Sequence, residues 1–343
     1  MKRFFLFLLL LSAIVGASTW TEDPFLGAPF RIFSYRAGNQ NSFQATLVRY
    51  ADSSVCREIQ KPRAAILYVH GFNDYFFQRE LAQKMNAAGY AFYAVDLHHY
   101  GRSYREGEVM GELRDISEYY AELDSALSII RREEGTSIPL VLLGHSTGGL
   151  ISSLYASDRN NGADFAAIVL NSPFLAMNFS WAARRIALPI LSALGGVFPN
   201  LGVPQSESDC YDRSIHQLKG GEWNYDTTYK KLGELPVDLG WVRAIHQGHV
   251  RLQQGLRLEP PVLVMHSGCS YDKAEWSEEC THCDAVLNVT HIRKYGANLG
   301  HSVELEEIEG GLHDLYLSPA PVRQKAYDVT IEFLNSKIKS SVE

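Results

Sequence analysis

One stretch of this chain is built for nucleophilic chemistry: Gly144-His145-Ser146-Thr147-Gly148-Gly149, at the end of the apolar run Pro139-Leu140-Val141-Leu142-Leu143. The run reads as a buried strand, and helix-compatible sequence follows from Leu150, which is the strand-turn-helix setting a G-x-S-x-G turn requires. A serine on so sharp a turn has strained backbone angles, and side chains at Gly144 and Gly148 would collide with the adjoining strands and helix. The turn lifts the Ser146 hydroxyl to the amino end of a helix, where the Thr147 N–H faces a developing oxyanion. A serine hydroxyl is a poor nucleophile at neutral pH, so it needs a histidine base, a carboxylate to orient that base, and a second N–H donor. His313, in Glu309-Gly310-Gly311-Leu312-His313-Asp314, directly follows the last strand and supplies the base. His70-Gly71-Phe72 follows an early strand and brings the Phe72 N–H to the second donor position, with His70 and Gly71 supporting that loop.

The other chemistry-bearing residues lack such a setting. Cys280-Thr281-His282-Cys283 has neither a thioredoxin-like strand-helix context nor a second ligand pair at zinc spacing, so no metal is expected. The loop holds three of the five cysteines, Cys269, Cys280 and Cys283, beside Cys56 and Cys210 elsewhere. A staple from Cys269 to Cys280 or Cys283 is expected, the odd count leaving at least one thiol free or intermolecular. His98, His99, His246 and His249 read as polar surface or cap residues, and Asp96 with Arg102 as braces of a loop beside the site.

The elements that must hold these residues alternate. Phe30–Tyr35 and Phe43–Tyr50 form an opening hairpin. Ala64–Val69, Tyr90–Val95, Ala166–Leu170, Pro261–Met265 and Val303–Ile308 read as strands. Between them lie helices: one ending at Gly89, one with Leu113, Ile116, Tyr120, Leu123, Leu127 and Ile130 on one face, and a closing one after Pro319 and Pro321. This alternation predicts an α/β fold, a mostly parallel sheet flanked by helices. Between Asn171 and Pro260 it lapses into prolines, glycine pairs and two apolar helical pieces, Trp181–Phe198 and Leu239–Leu256. That region reads as an inserted helical cap, 175–257, on a core of 18–174 and 258–343.

The residues together resemble the α/β-hydrolase superfamily, and within it the monoacylglycerol lipase, lysophospholipase and serine-aminopeptidase-like branch. The matching pieces are His70-Gly71-Phe72, the Asp96-to-Ser103 stretch, Gly144 to Gly149, Asn171-Ser172-Pro173 and Gly310 to His313. The resemblance implies the chain order serine, acid, histidine, with the acid after the strand Pro261–Met265. It also implies an acid within a few residues of that strand, whereas here Cys269-Ser270 and a longer loop intervene. Asp284-Ala285-Val286-Leu287 recovers the family's Asp-then-valine pattern and is the preferred acid; Asp272, nearer the strand, is the alternative.

The expected activity is hydrolysis of a carboxylic ester (a monoacylglycerol, lysophospholipid or medium-chain ester) through an acyl-enzyme, without a cofactor. Two other readings stay open. A proline-releasing aminopeptidase would need an acidic pocket, for which Glu207, Asp209, Asp212 or Glu222 are candidates, and a non-catalytic binding protein would need an inert Ser146. The 343 residues carry 32 basic and 39 acidic side chains without a basic run, which excludes nucleic acid as an expected partner. Lys2 and Arg3, the apolar run Phe4–Val15 and the small residues to Ala17 read as a signal peptide over 1–17, so an exported protein is expected. The cap's apolar face suits transient contact with lipid surfaces.

Overall fold

The computed structural model describes residues 19–338 apart from 39, 41, 52–60, 205–207 and 234. The signal-peptide reading, Cys56 and Glu207 therefore lie outside the described residues.

The strands are β1 (Thr21–Glu22), β2 (Phe30–Ala37), β3 (Phe43–Tyr50), β4 (Ala65–Val69), β5 (Ala91–Asp96), β6 (Leu140–His145), β7 (Ala167–Asn171), β8 (Gly202–Val203), β9 (Val237–Asp238), β10 (Val262–Ser267) and β11 (Val303–Ile308). The helices are α1 (Arg79–Ala87), α2 (Tyr120–Glu134), α3 (Thr147–Asp158), α4 (Leu188–Gly195), α5 (Cys210–Ile215), α6 (Leu239–Gln253), α7 (Val289–Gly296) and α8 (Ala320–Lys337). Among the described residues nine strands form one sheet, in the order β1-β2-β3-β5-β4-β6-β7-β10-β11. The hairpin β2–β3 and its neighbours pair antiparallel, and everything from β5 to β11 pairs parallel.

Burial on both faces explains the parallel part. Every residue of β4, β6, β7 and β10 is buried, as their unbroken apolar sequences demand. One face packs under α2, α3, α6 and α7 through residues such as Leu123, Leu150, Ile245 and Ile292. The other packs under α1 and α8 through Leu81, Met85, Tyr327 and Phe333. The edge strand β11 exposes Glu304, Glu306 and Glu307, charges that discourage further strand pairing.

The helix expected from Leu113 begins later. Asp115 caps a short 3₁₀ turn, Ile116–Tyr119, through a capping box with Glu118, and α2 continues from Tyr120. In the segment between β7 and β10, the first apolar piece enters through a π-turn, Ala183–Ala187, before α4. The second is α6, and the two helices meet so closely that a Cβ on Gly195 would lie 2.1 Å from the Leu239 carbonyl oxygen. The small pair β8–β9 and the short α5, which the sequence pattern did not announce, lie between them. Active-site side chains are thus drawn from the ends of β4, β6, β10 and β11, all at one rim of the sheet.

Candidate active site

Ser146 is the hinge between β6 and α3, with φ 52° and ψ −119°, a conformation a β-carbon disfavours. Its neighbours hold it there. The Ser146 N–H donates to the Asn171 carbonyl at 3.1 Å, and its own carbonyl accepts from Phe174 and Gly149, each at 2.9 Å. The flanking glycines are needed for close approach. A Cβ on Gly144 would sit 2.5 Å from the Gly148 oxygen, one on Gly148 2.1 Å from the Val69 oxygen, and one on Gly149 2.6 Å from Pro173 Cβ.

His313, 167 residues further on, places Nε2 2.9 Å from Ser146 Oγ, while Nδ1 lies 3.0 Å from Asp284 Oδ2. With Nδ1–H donated to the carboxylate, the Nε2 lone pair is left to accept the serine proton. The other carboxylate oxygen, Asp284 Oδ1, accepts the N–H groups of Val286 at 2.9 Å and Leu287 at 2.7 Å. All three side chains are buried, Asp284 completely.

The long acid loop is compatible with this because it is pinched shut. Cys269 is disulfide-bonded to Cys283, and the adjoining backbone forms a short ladder, Asp284 N–H to Cys269 O at 2.9 Å and Tyr271 N–H to Asp284 O at 2.8 Å. The chain leaves the end of β10, makes an excursion, and returns to deliver Asp284 where a short loop would have put it. Asp272 lies on the excursion and is exposed.

Residues without an assigned role in the sequence reading complete the support. The Asp314 carboxylate accepts from Asn171 Nδ2 at 2.7 Å, Gln78 Nε2 at 3.0 Å and the Tyr316 N–H at 3.0 Å. The Asn171 side-chain oxygen takes the Leu315 N–H at 3.2 Å. The His145 ring packs 4.8 Å from that of His313, and the Tyr211 ring stands edge-on to it at 5.5 Å. Burial lowers the His145 pKa, which disfavours a positive charge beside His313.

The loop after β4 runs directly past Ser146: a Cβ on Gly71 would lie 3.0 Å from Ser146 Cβ. The His70 ring donates from Nδ1 to the Gly71 oxygen at 2.7 Å and accepts the Leu97 N–H on Nε2 at 3.1 Å, bracing that loop against the end of β5. The Phe72 ring packs on Trp241 of α6, with centroids 4.9 Å apart. Thr147 opens α3, so its N–H is one of the donors a helix leaves free at its amino end. Asp96 accepts Phe76 N–H and the Arg102 guanidinium, which also pairs with Asp23 at 2.6 Å, fixing the neighbouring loops.

Neither His98 nor His249 is at the surface, although His249 does lie on α6, within the stretch expected as a cap. His98 is buried, stacked on Phe43 at 4.0 Å and paired through Nδ1 with the fully buried Glu122 of α2. His249 is buried too, donating from Nε2 to the Phe174 carbonyl at 2.8 Å, and burial holds its pKa down to about 3. Both are structural locks. His99 and His246 are partly exposed. No cluster of potential metal ligands exists among the described residues. A cavity of about 450 Å³ opens between the π-turn, α6 and α7, lined by Arg184, Leu188, His249 and Lys294 among others, and none of Ser146, Asp284 and His313 borders it.

Residues 60–319 match the model of the serine aminopeptidase S33 family (Hydrolase_4). The chain belongs to this family. It is 28% identical over 207 residues to a monoacylglycerol lipase of Mycolicibacterium smegmatis, covering 60% of this chain and 69% of that one. It is 25% identical over 267 residues to the phospholipase YtpA of Bacillus subtilis, covering 76% and 91%. A soluble variant of monoglyceride lipase from Saccharomyces cerevisiae, solved with a substrate analog, superposes with TM-score 0.66 at 16% identity, over 89% of this chain and 96% of that chain, a likeness of fold. The S33 chain is thus a serine hydrolase of the α/β-hydrolase superfamily, in its monoglyceride-lipase-like branch.

Proposed function

We propose that this S33 member hydrolyses single-chain carboxylic esters, of the monoacylglycerol or lysophospholipid kind, with Ser146 as nucleophile. The observation that carries the reading is the unbroken chain of contacts Ser146 Oγ–His313–Asp284, at 2.9 and 3.0 Å. Ser146 attacks the acyl carbonyl while His313 Nε2 takes its proton, and Asp284 keeps the imidazole in the required tautomer and stabilises its cation. The N–H groups of Phe72 and Thr147 hold the tetrahedral oxyanion. Collapse expels the alcohol with the proton from His313, and water then releases the acyl group through the same base.

An ester is favoured over a peptide amino terminus by the state of the insertion's carboxylates. Asp209 pairs with Lys219 at 3.2 Å, Glu222 with Arg323 at 2.8 Å, and the mostly buried Asp212 accepts the Gly233 N–H. Each of these three already has a partner within the protein, which a ligand ammonium would have to share or displace. The names of the relatives, a monoacylglycerol lipase and a phospholipase, point the same way. The insertion acts as a cap, and its exposed Trp181, Ile186, Ile190, Val197 and Phe198 suit contact with a lipid surface during substrate capture. Export fits the basic-then-apolar start of the sequence and a disulfide in the acid loop. Turnover of a monoacylglycerol against a prolyl amide, with Ser146→Ala as blank, decides the class: ester cleavage lost in the variant supports the proposal, and amide cleavage alone refutes it.

A further inference from the structure

Four cysteines meet in one buried cluster beside the acid loop, and only two of them are joined. Cys269 and Cys283 form the disulfide, while Cys210 and Cys280 stand against them as thiols. The two thiols come from different parts of the fold. Cys210 is the first residue of α5 in the insertion, and Cys280 lies in the 3₁₀ turn Glu278–Thr281 of the acid loop. Their backbones are locked together: the Ser214 hydroxyl, one turn along α5, is 2.8 Å from both the Cys210 and the Cys280 carbonyl oxygens. The residues are 1% and 0% exposed and pack in the same cluster, the Cys210 thiol donating to the Glu275 carbonyl at 3.6 Å and the Cys280 sulfur accepting the Ser277 N–H at 3.5 Å.

We propose that Cys210 and Cys280 form a second disulfide, which ties the insertion to the acid loop over the catalytic histidine. The reaction is an exchange with a disulfide oxidant, such as oxidised glutathione or a disulfide-exchange protein. The two S–H bonds break, one Sγ–Sγ bond forms, and the oxidant's S–S bond is reduced to two thiols that carry away both protons and both electrons. Burial, then the neighbouring Cys280 thiol, pushes the Cys210 pKa up to about 11, so the thiolate needed for exchange is scarce in the folded protein. The bond therefore forms while the chain folds, before α5 closes over the cluster. Its consequence for the site runs through the next residue. Tyr211 stands with its ring 5.5 Å from the His313 ring, so a bond at Cys210 fixes one wall around the base.

Folding the full chain with Cys56→Ser in a glutathione redox buffer and mapping its unreduced peptides tests this without reference to activity. The expected product is lighter than the reduced chain by four hydrogens, about 4 Da, with one peptide pair joining Cys210 to Cys280 and another joining Cys269 to Cys283. Alkylation of Cys210 and Cys280 while Cys269–Cys283 is intact overturns the proposal, as does a Cys210–Cys283 pair. Cys210→Ser and Cys280→Ser should each lower the melting temperature of the oxidised protein by on the order of 5 °C, and the double variant by no more than either. Additive losses would show two thiols packing independently.

Discussion

The Asn171 amide donates to Asp314 Oδ1 at 2.7 Å while the Asn171 backbone carbonyl holds the Ser146 N–H at 3.1 Å. One residue at the end of β7 thus sets the position of the strained serine and anchors the residue next to His313. Asn171→Ala keeps the backbone contact and removes both side-chain ones, leaving the buried Asp314 carboxylate and the Leu315 N–H each short of a partner. The loss expected is roughly 10- to 100-fold in kcat with little change in KM, read by steady-state kinetics beside a circular dichroism spectrum like that of the parent. Unchanged kcat would mean that Gln78 and the Tyr316 N–H position Asp314 alone.

Backbone approach at the elbow gives a second outcome. In Gly148→Ala the new methyl would meet the Val69 oxygen at 2.1 Å, and neither β4 nor α3 can retreat without disturbing the sheet. Denaturant titration should show a loss of roughly 3 kcal/mol. The matched control is Gly202→Ala in β8, where a methyl meets nothing within 4 Å; it should stay within about 0.5 kcal/mol of the parent.

The pinch at Cys269–Cys283 makes the acid's position depend on a covalent bond 14 residues long in sequence. Replacing both cysteines by serine should cost roughly 3 kcal/mol of stability and lower kcat roughly 10-fold or more by loosening Asp284. Stability and kcat measured on the same preparation separate the two effects. A stability loss with full kcat would show that the Val286 and Leu287 N–H groups hold the carboxylate unaided.

Acid sensitivity follows from the buried histidines. His249, with a pKa near 3 in the folded chain from burial, is neutral where an unfolded histidine takes up a proton. Its contribution is fully present above the unfolded pKa of about 6.5 and falls away as pH drops from there toward 3. Burial lowers His145 in the same direction. Melting temperature should therefore decline from pH 7 to pH 5, and His249→Gln, whose amide retains a donor for the Phe174 carbonyl, should flatten that decline. An unaltered slope would assign the acid limb to other groups.

Sequence carried most of the scaffold because β4, β6, β7 and β10 are buried on both faces and so read as unbroken apolar runs. The elbow was legible because its glycines are required locally. What escaped depends on partners far along the chain. The Asn171–Asp314 bond spans 143 residues, and the burial of His98 is decided by Glu122, one helix away. Asp284 could be preferred from its sequel, but the feature that brings it back to the rim is the pairing of Cys269 with Cys283, which spacing left open between two partners. The later start of α2 has a local cause, the Asp115 box, which apolar periodicity does not report.

The role proposed for His313 is to activate Ser146 for attack. Treatment with a fluorophosphonate, followed by peptide mapping, tests it most directly. The expected product is a single adduct on Ser146, absent from Ser146→Ala and formed roughly 10³-fold or more slowly in His313→Ala. An unlabelled Ser146 in folded protein, or labelling at an undiminished rate without His313, would contradict it.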